Sequence, residues 1–171
     1  SAADLKGMKW RVYSPTTARI GELIGAQPVT VQEAELSQAL ATGVVDGLIT
    51  SSATGADNKL FESLKYYYNV QAWIPKNAVT VSKKAFGALD KSTQEAVLKA
   101  AAAAEQRGWK ESREVDARSI AALKQGGMQV EQPSAQLKAD LGKIGATVIK
   151  EWTDKAGADG QAILDGYKAG K

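Results

Sequence analysis

Residues 8–49 alternate between short apolar runs and helical stripes, and that alternation leaves few folds open. Met8 to Tyr13 reads as a strand. Ser14-Pro15-Thr16 turns the chain, and Thr16 or Thr17 is expected to cap a helix that ends at Ile24 and stops at Gly25. Pro28 to Val31 reads as a second strand. Gln32 to Ala41 sets Ala34, Leu36, Ala39 and Leu40 three and four apart, the spacing of one helix face. Val44 to Ile49 (VVDGLI) reads as a third strand, apolar enough for a buried parallel position. The order β-α-β-α-β implies a parallel sheet covered by helices, because parallel neighbours need a crossover connection.

The remainder changes character. Thr50 to Asn58 (TSSATGADN) reads as a polar loop, Lys59 to Leu64 as a short helix, and Lys65 to Val81 as two strands interrupted at Pro75-Lys76-Asn77. Ser92 and Glu95 have the spacing of a capping box. From there to Lys124 nothing breaks a helix except Gly108, and the alanines at 100–104 favour one strongly. A helix that long spans two domains or braces one from outside. Gly126-Gly127 ends it, and Met128 to Val130 reads as a short strand. Pro133-Ser134 opens a second helical stretch to Lys155, with Leu137, Leu141, Ile144, Val148, Ile149 and Trp152 at helical spacing. Gly157 to Gly160 breaks it before a last short helix that ends near Tyr167.

Composition narrows the chemistry. The 171 residues include no Cys and no His, which removes thiol nucleophiles, disulfides, Ser-His-Asp catalysis and Cys- or His-ligated metal sites. The 22 basic and 19 acidic residues are interspersed, giving a net charge of +3 without the basic stripe of a nucleic-acid protein. The opening SAADLKGMKW lacks the apolar core of a signal peptide, the expectation being a mature or truncated form, or a chain that is not exported. A binding module is therefore expected, with no catalytic residue, metal or cofactor assigned. An α/β enzyme using Tyr, Lys or a carboxylate as base is the less favoured rival.

Open α/β sheets bind ligands beyond the carboxyl ends of their strands. Arg11 lies there, in an otherwise apolar strand, and its planar fork needs either a structural Asp or Glu or a ligand carboxylate. Thr50, Ser51 and the rest of TSSATG offer hydroxyls and backbone N–H groups, to an anion or simply to their own turn. Trp10, Tyr13, Tyr66, Tyr67, Tyr68 and Trp73 are candidates for an aromatic pocket or for ordinary strand packing. Glu33 and Glu35 are two apart and do not face each other on a helix, so they make no catalytic pair.

The segments LKGMKWRV, GAQPV and ALATGVVDGLIT together resemble the TRAP (tripartite ATP-independent periplasmic) solute-binding proteins. Glu35, Ala39, Leu40, Gly43, Val45, Asp46 and Gly47 fall in the register of that family's E-x-x-x-A-L-x-x-G-x-V-D-G helix and strand. The aromatic strands and the helix opening at LDKSTQEAVLKAA extend the resemblance over nearly the whole chain.

The resemblance implies a periplasmic-binding-protein-like type II lobe with a mostly parallel sheet. Residues 1–82 would form the α/β ligand-binding lobe, and 83–171 a long bracing helix and C-terminal helices packed on the same lobe. It further implies the C-terminal half of a two-lobe periplasmic receptor, truncated or proteolysed, that hands an organic carboxylate to a membrane permease. Arg11 would pair with the carboxylate, and Tyr13 and Ser14 follow it in the cleft-facing loop. Thr50 and Ser51 stand where many members have Q-E-N-P, and Glu33 where some place an aromatic side chain. These departures argue against sialic acid or four-carbon dicarboxylates, and the Trp and Tyr content near the cleft points to an aromatic or apolar monocarboxylate, such as a 2-oxo or 2-hydroxy acid. Trp73 joins the ligand-binding candidates from the cross-over strands. Surface left by a missing lobe would favour a dimer or a swap. The alternative is an interaction or structural module using the long helix as a docking arm.

Overall fold

The computed structural model describes residues 1–72 and 78–170, so Trp73 lies outside the described residues. Strands β1 (Lys9–Val12), β2 (Gln27–Thr30) and β3 (Gly47–Leu48) form a parallel sheet in the order β2-β1-β3. Helices α1 (Pro15–Ile24) and α2 (Leu36–Ala41) make the crossovers, as the alternating pattern requires. Strand β3 is shorter than the apolar run around it. Asp46, just before it, donates its N–H to the Lys9 carbonyl at 2.7 Å and accepts the Lys9 N–H on Oδ2 at 2.9 Å, which pins β3 to β1.

Register divides the sheet into two faces, since side chains alternate along each strand. Trp10 stands beside Pro28 and Gly47. A Cβ on Gly21 of α1 would lie 3.4 Å from the Trp10 ring, and one on Gly47 3.3 Å from it, so two glycines make room for the indole. Arg11 stands beside Val29 and Leu48 on the other face. That face meets the main core, where Val31, Leu36, Leu40, Val45, Leu60, Leu123 and Met128 are buried together.

Helix α1 is capped by Ser14, not by Thr16 or Thr17. Ser14 Oγ accepts the Thr17 N–H at 3.2 Å, while Thr17 Oγ1 accepts the Tyr13 and Ser14 N–H groups at 3.1 and 3.0 Å. The expected helix from Gln32 becomes a 3-10 turn over Glu33–Glu35 followed by the shorter α2. The expected loop Thr50–Asn58 is mostly a helix, α3 (Ser52–Asp57), because Ser51 caps it by accepting the Thr54 N–H at 3.1 Å. A 3-10 turn at Leu60–Glu62 follows.

Of the two strands expected in 65–81, the described residues hold one, β4 (Tyr66–Tyr68), which pairs in parallel with β5 (Gln129–Glu131). Between them run α4 (Lys83–Gly87) and α5 (Lys91–Gln125). Asp90 rather than Ser92 caps α5: Oδ1 accepts the Thr93 N–H at 3.0 Å and the Ser92 hydroxyl at 2.6 Å. Those bonds, the Ser92 hydroxyl first, hold the Asp90 carboxyl well below its ordinary range. At 1.5 Å per residue α5 is about 50 Å long. Its C-terminal part packs on α3 and buries Ser119 and Leu123, whereas 91–114 is exposed apart from the half-buried Gln94.

Helix α6 (Ala135–Lys168) returns along α1. Its break narrows from the expected four residues to one: Gly157, at φ 66° and ψ −145°, in a region open only to glycine.

Candidate functional site

Because β1, β2 and β3 are parallel, the segments after them open on the same edge of the sheet. Tyr13 and Ser14 follow β1, Glu33 follows β2, and Thr50 and Ser51 follow β3. The sequence candidates among the described residues therefore gather at one rim.

Arg11 is the group this rim is built around. It is 4% exposed. Its Nε donates to the Val31 carbonyl at 2.9 Å, which fixes the guanidinium plane. Its Cζ lies 4.9 Å from the centre of the Tyr13 ring, within cation–π range. Among the described residues Arg11 forms no ion pair, so the structural Asp or Glu partner considered from sequence is not found. Burial pulls its basicity below the ordinary arginine value, and the Glu33 carboxylate, then Tyr13, act in the opposite direction. A buried arginine anchored through Nε keeps its two terminal nitrogens as a fork, the shape that grips a carboxylate with two parallel hydrogen bonds.

The other candidates differ in what they have to spare. Ser14 and Ser51 are both spent as helix caps through Oγ. Thr50 is half-buried beside Ser51. Tyr13 is 44% exposed, and its ring is held on one side by Arg11. Glu33 is exposed, with Asn58 Nδ2 at 3.4 Å from Oε1. An apolar groove of ≈ 480 Å³ lies between α1 and α6, lined by the rim residues Tyr13 and Ser14 together with Ile20, Ile49, Ile144 and Val148.

Sequence reasoning missed the support behind the rim. Ser52 is buried, and its hydroxyl donates to Asp116 Oδ1 of α5 at 2.5 Å. Tyr67 of β4 joins them. Burial first and the Asp116 charge second push its phenol up, and a hydrogen bond with Ser52 partly offsets this. The sequence signal was slight: a second hydroxyl in TSSATG, one residue past the cap. Among the described residues no group of acidic side chains is placed to hold a metal ion, and no helix is long and apolar enough to cross a membrane.

A buried arginine at the carboxyl edge of a parallel sheet is placed to hold the carboxylate of a small solute. The family model of bacterial extracellular solute-binding proteins, family 7 (DctP), matches residues 1–155, and the chain belongs to that family. Three solved structures show the same fold. DctP6 of Bordetella pertussis, an extracytoplasmic solute receptor binding pyroglutamic acid, is 53% identical over 99% of this chain, with a TM-score of 0.96. DctP7 of the same organism, also binding pyroglutamic acid, is 44% identical over 98%, with a TM-score of 0.91. A marine metagenome TRAP solute-binding protein specific for pyroglutamate is 40% identical over 99%, with a TM-score of 0.94. The chain spans 56% of the length of each. No curated protein matches the chain.

Proposed function

We propose that this chain is a lobe of a TRAP-type solute receptor that captures a small organic monocarboxylate and presents it to a membrane permease in the periplasm. The carrying observation is Arg11: buried, anchored through Nε, and without an acidic partner among the described residues. Tyr13, Ser14, Glu33, Thr50 and Ser51 supply the rest of the rim, and Trp73 remains a candidate outside the described residues. Residues 1–82 carry the ligand rim, and 83–171 brace it. Pyroglutamate, named for three relatives at 40–53% identity, is the first solute to try. It keeps the single carboxylate expected from the sequence and puts a lactam ring where an aromatic or apolar body is expected.

The test is calorimetric titration of pyroglutamate into the complete gene product that carries this chain. Wild type is expected to bind, and Arg11→Ala to abolish binding. Unchanged affinity in Arg11→Ala overturns the assignment.

A second reading, an interaction module, rests on the exposed span of α5, which carries Val97, Leu98 and Trp109 at the surface. The same surface supports self-association of the chain by dimerisation or exchange of elements. Light scattering of this chain at high concentration tests that: a strictly monomeric chain counts against it.

A further inference from the structure

We infer that Glu33 sets the selectivity of the Arg11 site, admitting solutes that pair one carboxylate with a neighbouring N–H donor and refusing dicarboxylates. The inference rests on the reading of Arg11 as the carboxylate partner and adds what the rest of the solute must look like.

Three observations carry it. First, Val31 O holds Arg11 Nε at 2.9 Å, and two residues later Glu33 opens a 3-10 turn, so the guanidinium and the carboxylate are tied to the same bend after β2. Second, Glu33 is exposed and little engaged. Its hydrogen-bond partner among the described residues is Asn58 Nδ2 at 3.4 Å, beyond the usual length of such a bond. An ionised carboxylate offers about four acceptor positions and no donor. Glu33 thus has acceptor capacity left, and a ring oxygen or a second carboxylate has nothing to gain from it. Third, of the charges around Arg11, Glu33 acts on it most strongly.

Charge counting gives the direction. Arg11 and Glu33 cancel, so a bound monocarboxylate leaves one negative charge at the rim and a dicarboxylate leaves two. Like charges a few ångströms apart repel even beside water, so a second carboxylate next to Glu33 is disfavoured. An N–H beside the carboxylate adds a charge-assisted hydrogen bond to Glu33, stronger than a neutral one. Asn58 stands beside Glu33, and its Nδ2 donates to Thr54 O at 3.1 Å, which ties the amide to α3.

The experiment titrates the complete gene product with three solutes: pyroglutamate, the lactone in which ring oxygen replaces the N–H, and glutarate. Wild type is expected to prefer the lactam over the lactone by about tenfold or more, the worth of one charged hydrogen bond. Glu33→Gln is expected to weaken pyroglutamate and to strengthen glutarate, each by about tenfold, while the melting temperature stays put because the side chain is exposed. A lactam-to-lactone ratio and a glutarate affinity both unchanged in Glu33→Gln, with Arg11→Ala still abolishing binding, overturn the role of Glu33 alone. Wild-type affinity for pyroglutamate retained by Arg11→Ala overturns the Arg11 reading, and this inference with it.

Discussion

Ser52 and Asp116 meet at 2.5 Å, and that bond ties the first turn of α3 to the long helix α5. The rim residues Thr50 and Ser51 immediately precede Ser52, so their position is set by a helix they do not belong to. Ser52→Ala removes the bond, and with it the Ser52 contribution that offsets the upward push on the Tyr67 phenol. A loss of about 1.5–3 kcal/mol in unfolding free energy is expected, the usual net worth of a hydrogen bond to a charged group. Urea denaturation measures it, and a change below about 0.3 kcal/mol would mean that the contact is idle.

Arg11→Lys separates charge from shape. Lysine keeps the positive charge but presents a point donor in place of a fork, and it has no equivalent of the Nε bond to Val31 O. Pyroglutamate affinity is expected to fall by about tenfold or more, even though net charge is unchanged. Titration calorimetry reads the difference, and equal affinity would show that the fork is not used.

Gly126 follows α5 and sits against Phe61. Its φ of −72° suits any residue, but a Cβ would lie 2.3 Å from Cγ of the Phe61 ring. Gly126→Ala must displace the ring and is expected to cost about 1–3 kcal/mol, as overpacking does. Introduced on top of Phe61→Ala, the same change should cost little, because the obstacle has gone. Chemical denaturation of the two single variants and the double variant completes the cycle.

Arg19 reaches from α1 to Glu151 of α6 with Nε 3.0 Å from Oε2 and NH2 2.6 Å from Oε1, and its NH1 reaches Glu22 at 3.0 Å. The hydrogen bonds from Arg19 depress the Glu151 carboxyl below its ordinary value. A carboxyl with a folded value below its unfolded one contributes stability above the unfolded value and loses it as pH falls through the folded one. Docking of α6 should therefore weaken on acidification below the ordinary carboxylate range. Both side chains are exposed, so the effect is small and falls with added salt. Melting curves of wild type and Glu151→Gln should differ at neutral pH and converge in acid, and a constant gap across pH would refute the coupling.

How much of this was legible in the sequence depended on the kind of signal. The β1-α1-β2 order and the long α5 follow from local pattern: apolar runs, helical stripes and a stretch of alanines. Arg11 stood out because a charge inside an apolar strand demands an explanation. The TSSATG segment reads as a loop because its hydroxyls suit a turn, whereas an N-cap serine at Ser51 followed by small residues starts a helix. Sequence does not rank Asp90 above Ser92, because two hydroxyls and a carboxylate within one turn compete to cap, and geometry alone decides. Asp116 could not be foreseen beside Ser52: they are 64 residues apart, and nothing in either neighbourhood names the other.

Gly157 gives the end of the chain a property of a different kind. With φ at 66° and ψ at −145°, it holds a backbone shape that any side chain would strain. The direction in which residues 158–168 leave is therefore a single-position trait. Substitutions after the kink change what that last helix carries on its surface, whereas a substitution at the kink changes where it points. A lineage can thus edit the cargo of its tail residue by residue, but it can redirect the tail in one step.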